Sequence, residues 1–163
     1  MPLLVIILSA VIVGIDQLIK YFVYNFLKPV GSVDVIPGLF SLDYVENKGA
    51  AFGMMANMRW VFIVFTIVVI AIILYVVFKK KITNKLFIAS AILLIGGGIG
   101  NLIDRIFLGF VIDYLSISFF PPVCNFADYC ITIGTVLLLV YLLFFSDYFK
   151  SNKKDKLNEQ VWV

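Results

Sequence analysis

The stretch Gly96-Gly97-Gly98-Ile99-Gly100-Asn101-Leu102-Ile103-Asp104-Arg105, continued by Val111-Ile112-Asp113-Tyr114-Leu115 and Asn125-Phe126-Ala127-Asp128, sets polar groups among residues that otherwise read as lipid-soluble. Three carboxylates (Asp104, Asp113, Asp128), the Arg105 guanidinium and the amides of Asn101 and Asn125 fall inside it. Ionisable groups at membrane depth cost several kcal/mol and persist where they face a polar cavity, a partner or a substrate. The stretch is therefore a candidate functional site.

Outward from it, the chain is 63% hydrophobic and 14% charged, with a mean hydropathy of +1.07, where an ordinary soluble domain is about 25% charged. This is the composition of an integral membrane protein. At about 20 apolar residues per crossing, the 163 residues allow about four or five spans with little left over, and we read residues 1–163 as one compact membrane domain. The predicted spans are about 3–26, 60–78, 86–107 and 125–146. A cleavable leader fits residues 2–26 poorly, because no basic start and no small-residue cleavage site accompany the apolar run.

Between the first two spans, residues 27–59 carry Pro29, Gly31, Pro37 and Gly38 and then alternate through Leu39-Phe40-Ser41-Leu42-Asp43-Tyr44-Val45. That pattern predicts short strands between turns. Residues 108–123, ending in Pro121-Pro122, are expected as a short loop. Lysines gather at Lys79-Lys80-Lys81 with Lys85, and again at Lys150, Lys153, Lys154 and Lys156. By the positive-inside rule both blocks and the amino terminus are cytoplasmic, so 27–59 and 108–123 face outward. Blocks that adjoin spans and lack interleaved aromatics argue against nucleic-acid binding. With no histidine in the chain, His-based triads and His-ligated metals are excluded. Cys124 and Cys130 alone make a poor metal site or disulfide framework and read as packing residues.

Four candidate groups then stand out. Asp16 and Lys20 lie four apart on one face of the first span, in the favourable acid-before-base order. They form either a self-neutralising pair or a brace for a polar site. Asn47 and Gly49 end the outer loop in Glu46-Asn47-Lys48-Gly49-Ala50-Ala51-Phe52-Gly53, where small residues allow close backbone approach and Asn-x-Gly is also a turn signal. Asn101, Asp104 and Arg105 project from one side of the third span, below glycines that either pack helices closely or thin the helix so that polar side chains reach the site. Asp113 follows that span and Asp128 opens the fourth. Asn125 is a good helix cap and an acid in the first turn suits the helix dipole, which explains Asp128 but not Asp113. Two carboxylates sharing a site split their pKa values and supply an acid and a base for activating water against an amide carbonyl.

Five ordered blocks resemble lipoprotein signal peptidase, the bacterial membrane aspartic peptidase family. They are Asp16-Gln17-x-x-Lys20, Asn47-x-Gly49-Ala50-Ala51-Phe52, Gly100-Asn101-Leu102-Ile103-Asp104-Arg105, Val111-x-Asp113-Tyr114 and Pro122-x-x-Asn125-x-Ala127-Asp128. One departure is Cys124, where an aromatic residue often precedes the asparagine. The resemblance implies a four-helix membrane enzyme with a small extracytoplasmic strand platform, working in the bacterial plasma membrane as a monomer, without metal or other cofactor. Its implied reaction removes the signal peptide from diacylglyceryl-modified prolipoproteins, just before the lipidated cysteine. Asp113 and Asp128 would be the catalytic pair, with Asp16, Lys20, Asn47, Gly49, Asn101, Asp104, Arg105 and Asn125 supporting the site or contacting substrate, and the 47–53 loop lying over it. A transporter whose acidic residues form a relay is the main rival, but the polar groups gather towards one membrane face and no repeat of transporter halves is evident. A serine-lysine peptidase using Lys20 or Lys48 lacks a serine in a supporting motif, and a scaffold subunit leaves the acidic residues without a purpose.

Overall fold

The structure, a computed structural model, describes residues 1–49, 58–80 and 82–146. In chain order it contains α1 (Pro2–Phe22), extended by a π-helical turn (Val23–Leu27), then β1 (Ser32–Ile36), β2 (Phe40–Asn47), α2 (Arg59–Lys79), α3 (Lys85–Phe107), β3 (Val111–Ile117), β4 (Phe120–Cys124) and α4 (Phe126–Phe144). All four helices are long and apolar enough to cross a membrane. Even α4, with 19 residues, is about 28 Å long, close to the roughly 30 Å hydrocarbon core of a bilayer.

Helix α3 is the centre of the bundle, packed against α1, α2 and α4, and it buries Ser90, Ala91, Ile95, Gly96, Gly97, Gly98, Gly100, Asn101 and Asp104. Lipid is as apolar as leucine, so helices there associate through close packing and buried polar contacts. The glycines serve the first need. A Cβ at Gly97 would lie 2.6 Å from the Ala127 carbonyl oxygen of α4, and one at Gly96 2.7 Å from Ile12 of α1. Ser90 serves the second, its hydroxyl donating to the Gly134 carbonyl at 2.7 Å. By contrast α2, a nearly pure Val, Ile and Phe run, buries only Ile63 and Val77 and leaves Val61, Phe65, Val68, Ile72 and Tyr75 exposed, a surface suited to acyl chains.

The strands form one antiparallel sheet in the order β1-β2-β3-β4. Pro37 and Gly38 turn β1 into β2: proline presets the first central position, Gly38 at φ +72° takes the second, and the Leu39 N–H donates to the Ile36 carbonyl at 3.0 Å. Strands β1 and β2 lie where residues 27–59 were expected to form them. The expectation of a plain loop over 108–123 is corrected, because β3 and β4 complete the sheet there. Val111, Ile112, Asp113 and Tyr114 are all buried, so both faces of the strand are covered and no alternation betrays it. Pro121 and Pro122 occupy edge strand β4, where a missing N–H is tolerated. Gly109, at φ +87°, ends α3 and starts this segment, its N–H donating to the Asp104 carbonyl. The fourth helix is shorter than the predicted 125–146, since Asn125 caps it and Phe145 ends it. Lys81 and the basic tail from Lys150 lie outside the described residues.

Candidate active site

The two aspartates are brought together by the start of α4. Asn125, in extended backbone before the helix, accepts the Asp128 N–H on its side-chain oxygen at 2.9 Å. The Asp128 carboxylate in turn accepts the Asn125 N–H at 3.1 Å, a capping box that satisfies two helix-end donors. With its oxygen so engaged, the Asn125 amide points its NH2 at Asp113 Oδ1 (2.6 Å) and at Asn101 Oδ1 (3.1 Å). One residue therefore contacts both aspartates. Asp113 Oδ2 accepts from Asn47 Nδ2 at 2.8 Å, and Asp128 Oδ1 accepts from Asn101 Nδ2 at 2.8 Å. Asn47 reaches Asp113 because β2 and β3 pair Val45 with Asp113 and Asn47 with Val111, in regular register beyond a shift between Leu42 and Val45.

Each of the four carboxylate oxygens thus holds one protein N–H and keeps a lone pair for a proton or a water. Asp113, 2% exposed, is pushed up to about 7, first by burial and then by the charge of Asp128, partly offset by the amides of Asn47 and Asn125. Burial first and the neighbouring charge of Asp128 second both favour the protonated form of Asp113.

On the α1 side of Asn101 lies a second polar cluster. Lys20 Nζ contacts Asp16 Oδ2 (2.9 Å), Asp104 Oδ2 (2.9 Å) and Asn101 Oδ1 (2.8 Å). Asp16 is 0% exposed and Lys20 and Asp104 are each 2% exposed, so the pair seen in sequence is buried and has a second acid as partner. Gln17 Nε2 donates to Asp104 Oδ1 at 3.0 Å and to the Gly100 carbonyl at 3.2 Å. Asp104 Oδ2 also accepts the Ile112 N–H at 3.1 Å, which ties α3 to the residue next to Asp113. Gly100 admits α1 here, since a Cβ would sit 2.5 Å from the Asp16 carboxylate.

Arg105 bonds neither aspartate directly; its guanidinium, over the Phe62 ring, donates to the Asn101 carbonyl (3.4 Å) and the Gly49 carbonyl (3.5 Å). Gly49 donates its N–H to Asn47 Oδ1 at 2.9 Å, so Asn47 is held by a local turn as well as by Asp113. Ala50 to Gly53, the rest of the loop expected over the substrate, lie outside the described residues. Cys124 and Cys130 are free thiols, and burial pushes Cys124 up to about 11, away from a reactive thiolate. Two supporting residues carried no assigned role in sequence: Gln17, and Tyr114, whose hydroxyl accepts the Phe126 N–H at 3.2 Å. Their places inside the Asp16 and Asp113 blocks were the available signal. Among the described residues, no three His, Cys, Asp or Glu side chains are grouped to hold a metal ion.

Four helices long and apolar enough to cross a membrane, a small antiparallel sheet and an aspartate pair held on an asparagine network define a multi-pass membrane protein. The chain belongs to the Signal peptidase (SPase) II family, whose pattern it matches over residues 8–144. It is 44% identical over 139 residues to the lipoprotein signal peptidase of Caldanaerobacter subterraneus subsp. tengcongensis, covering 85% of this chain and 95% of that one. It is 42% identical over 146 residues to that of Clostridioides difficile, covering 88% and 97%. Two solved structures described as bacterial membrane enzymes share the fold. One has a TM-score of 0.78 at 31% identity over 85% of this chain and 87% of the other. The second has 0.77 at 30% identity over 87% and 94%.

Proposed function

We propose that the protein is an aspartic endopeptidase that cleaves diacylglyceryl-modified prolipoproteins before the lipidated cysteine, with Asp113 and Asp128 as its catalytic pair. The observation that carries this is the shared amide: Asn125 contacts Asp113 with its NH2 and Asp128 with both its backbone N–H and its side-chain oxygen. With one carboxyl ionised and one protonated, the ionised group takes a proton from water as its oxygen attacks the scissile carbonyl carbon. The protonated group gives its proton to the carbonyl oxygen. Collapse of the tetrahedral species breaks the C–N bond, and the amine leaves with a proton returned through the pair. Asn47, Asn101 and Asn125 hold the two carboxyls, while Asp16, Lys20, Asp104, Arg105 and Gly49 hold the asparagines and their elements.

A substrate with two acyl chains and an apolar signal helix is confined to the bilayer, so a site at a helix end meets it by lateral diffusion. We place that end, with the sheet, at the extracytoplasmic face and both termini in the cytoplasm, from the lysines flanking the spans. The enzyme works as one compact monomeric domain without metal or cofactor. The acidic groups collect in the second half of α1, the second half of α3 and the first turn of α4, which favours a site over a relay through the bilayer. The test is incubation of purified protein in detergent with a diacylglyceryl precursor and with the same precursor unlipidated. Cleavage of the lipidated form alone, abolished by Asp113→Asn and by Asp128→Asn in folded protein, is the expected result. Full turnover by either variant overturns the assignment.

A further inference from the structure

An asparagine amide has an oxygen end that accepts and a nitrogen end that donates, so which end faces each aspartate decides whether it steadies or opposes a charged carboxylate. All three asparagines here present nitrogen. For two of them the cause is backbone: Asn47 Oδ1 is held by the Gly49 N–H (2.9 Å) and Asn125 Oδ1 by the Asp128 N–H (2.9 Å). For Asn101 no backbone donor among the described residues does this. Its oxygen accepts from the Asn125 amide at 3.1 Å and from Lys20 Nζ at 2.8 Å.

The geometry points to Lys20 as the positioning residue that sets the polarity of Asn101 and thereby makes it a donor to Asp128, an inference that rests on the paired-aspartate reading above. An ammonium has three N–H groups and no lone pair. Those of Lys20 meet three acceptors, Asp16, Asp104 and Asn101. Turning the Asn101 amide over would face its NH2 towards the ammonium and the Asn125 NH2, and its oxygen towards Asp128 Oδ1. Three hydrogen bonds would become three like-pole contacts at a largely buried site, where unmet polar groups are costly. Asp16 and Asp104 in turn hold the ammonium in place, which gives that buried cluster a purpose in the reaction. Among the described residues, the charged or titratable groups around the aspartates are Lys20 and Asp16 from α1, Asp104 and Arg105 from α3, Tyr114 from β3, Cys124 at the end of β4 and Tyr129 from α4, and of these Lys20 is the one bonded to an amide side chain that donates to the pair.

The test is a double-mutant cycle in the full-length protein, with kcat and KM for a lipidated precursor measured across pH for Lys20→Met, Asn101→Leu and both together. Lys20→Met is expected to lower kcat on the order of 10- to 100-fold, the usual cost of losing a partner that orients a functional group. KM stays near that of the parent, and the acidic limb of the pH profile moves to higher pH. In the Asn101→Leu background the same substitution adds nothing further. A parent-like kcat and pH limb in Lys20→Met overturns the proposal. So does an equal shift with and without Asn101, which would assign the effect to the field of the ammonium or to helix packing. Should Lys20→Met alone fail to fold, the cycle is run in an Asp104→Asn background, which removes one buried acid along with the base, and the same two outcomes decide. Failure of the catalytic assignment itself registers separately, as full activity in Asp113→Asn.

Discussion

Replacing Gly97 by alanine tests the close packing of α3 on α4. The new methyl would lie 2.6 Å from the Ala127 carbonyl oxygen, 3.0 Å from Ile131 and 3.1 Å from Cys130. Carbon to oxygen contacts settle near 3.3 Å or beyond, and a helix carbonyl cannot rotate aside, so α3 and α4 must part by about 0.7 Å at this point. Overpacking of this kind costs about 1–3 kcal/mol, against up to about 1 kcal/mol gained from alanine's better helix propensity. The clash wins because its partner is backbone, and a net loss of about 1–2 kcal/mol lowers Tm by roughly 2–8 °C for a chain of this size. The same parting stretches the 2.8 Å bond from Asn101 to Asp128, which crosses this interface, so cleavage falls along with stability. Gly14 is the control, with no atom within 4 Å of a built Cβ, and Gly14→Ala keeps or raises Tm. Unfolding is read in detergent with a thiol-reactive dye, since Cys130 is buried and both cysteines are free. A Gly97→Ala protein with the parent's Tm and cleavage rate refutes the packing argument.

Burial of Asp113 predicts a pH dependence of stability. Its carboxyl rises from 3.8 to about 7 on folding, so the folded state binds that proton more tightly; its contribution is complete below about pH 4 and is lost as pH climbs through 7. Tm therefore declines over that window, and Asp113→Asn flattens the decline; parallel curves for the two proteins would dismiss the reasoning. At Asn125, substitution by Asp keeps an oxygen for the helix cap but sets a second carboxylate at the position now 2.6 Å from Asp113 Oδ1. The expected result is a normal helical content by circular dichroism with cleavage reduced by about 100-fold or more, as for loss of an oriented donor. Near-parent turnover would separate Asn125 from the site.

Much of this architecture can be read from the chain because lipid imposes a simple rule: long apolar runs cross, and polar residues inside them need a reason. Asp16 and Lys20 announce their contact by spacing, and Asn125 with Asp128 announces a helix start. Other features leave weaker traces. Val111 to Tyr114 is buried on both faces, so the strand lacks the alternation that marks β2. The bond from Asp104 to the Ile112 N–H ends on backbone, which carries no residue-type signature at all. The shared use of Lys20 by Asp16 and Asp104 depends on how closely α1 and α3 approach, and that follows from Gly96 and Gly100 only once the partners are known.

The pairing of β2 with β3 has a consequence for biogenesis. Its two strands are separated by the whole of α2 and α3, so the newly made first hairpin has to wait at the bilayer surface while two more segments are threaded into the lipid. Until then Asn47 has no Asp113 to hold, and the acid site stays unassembled.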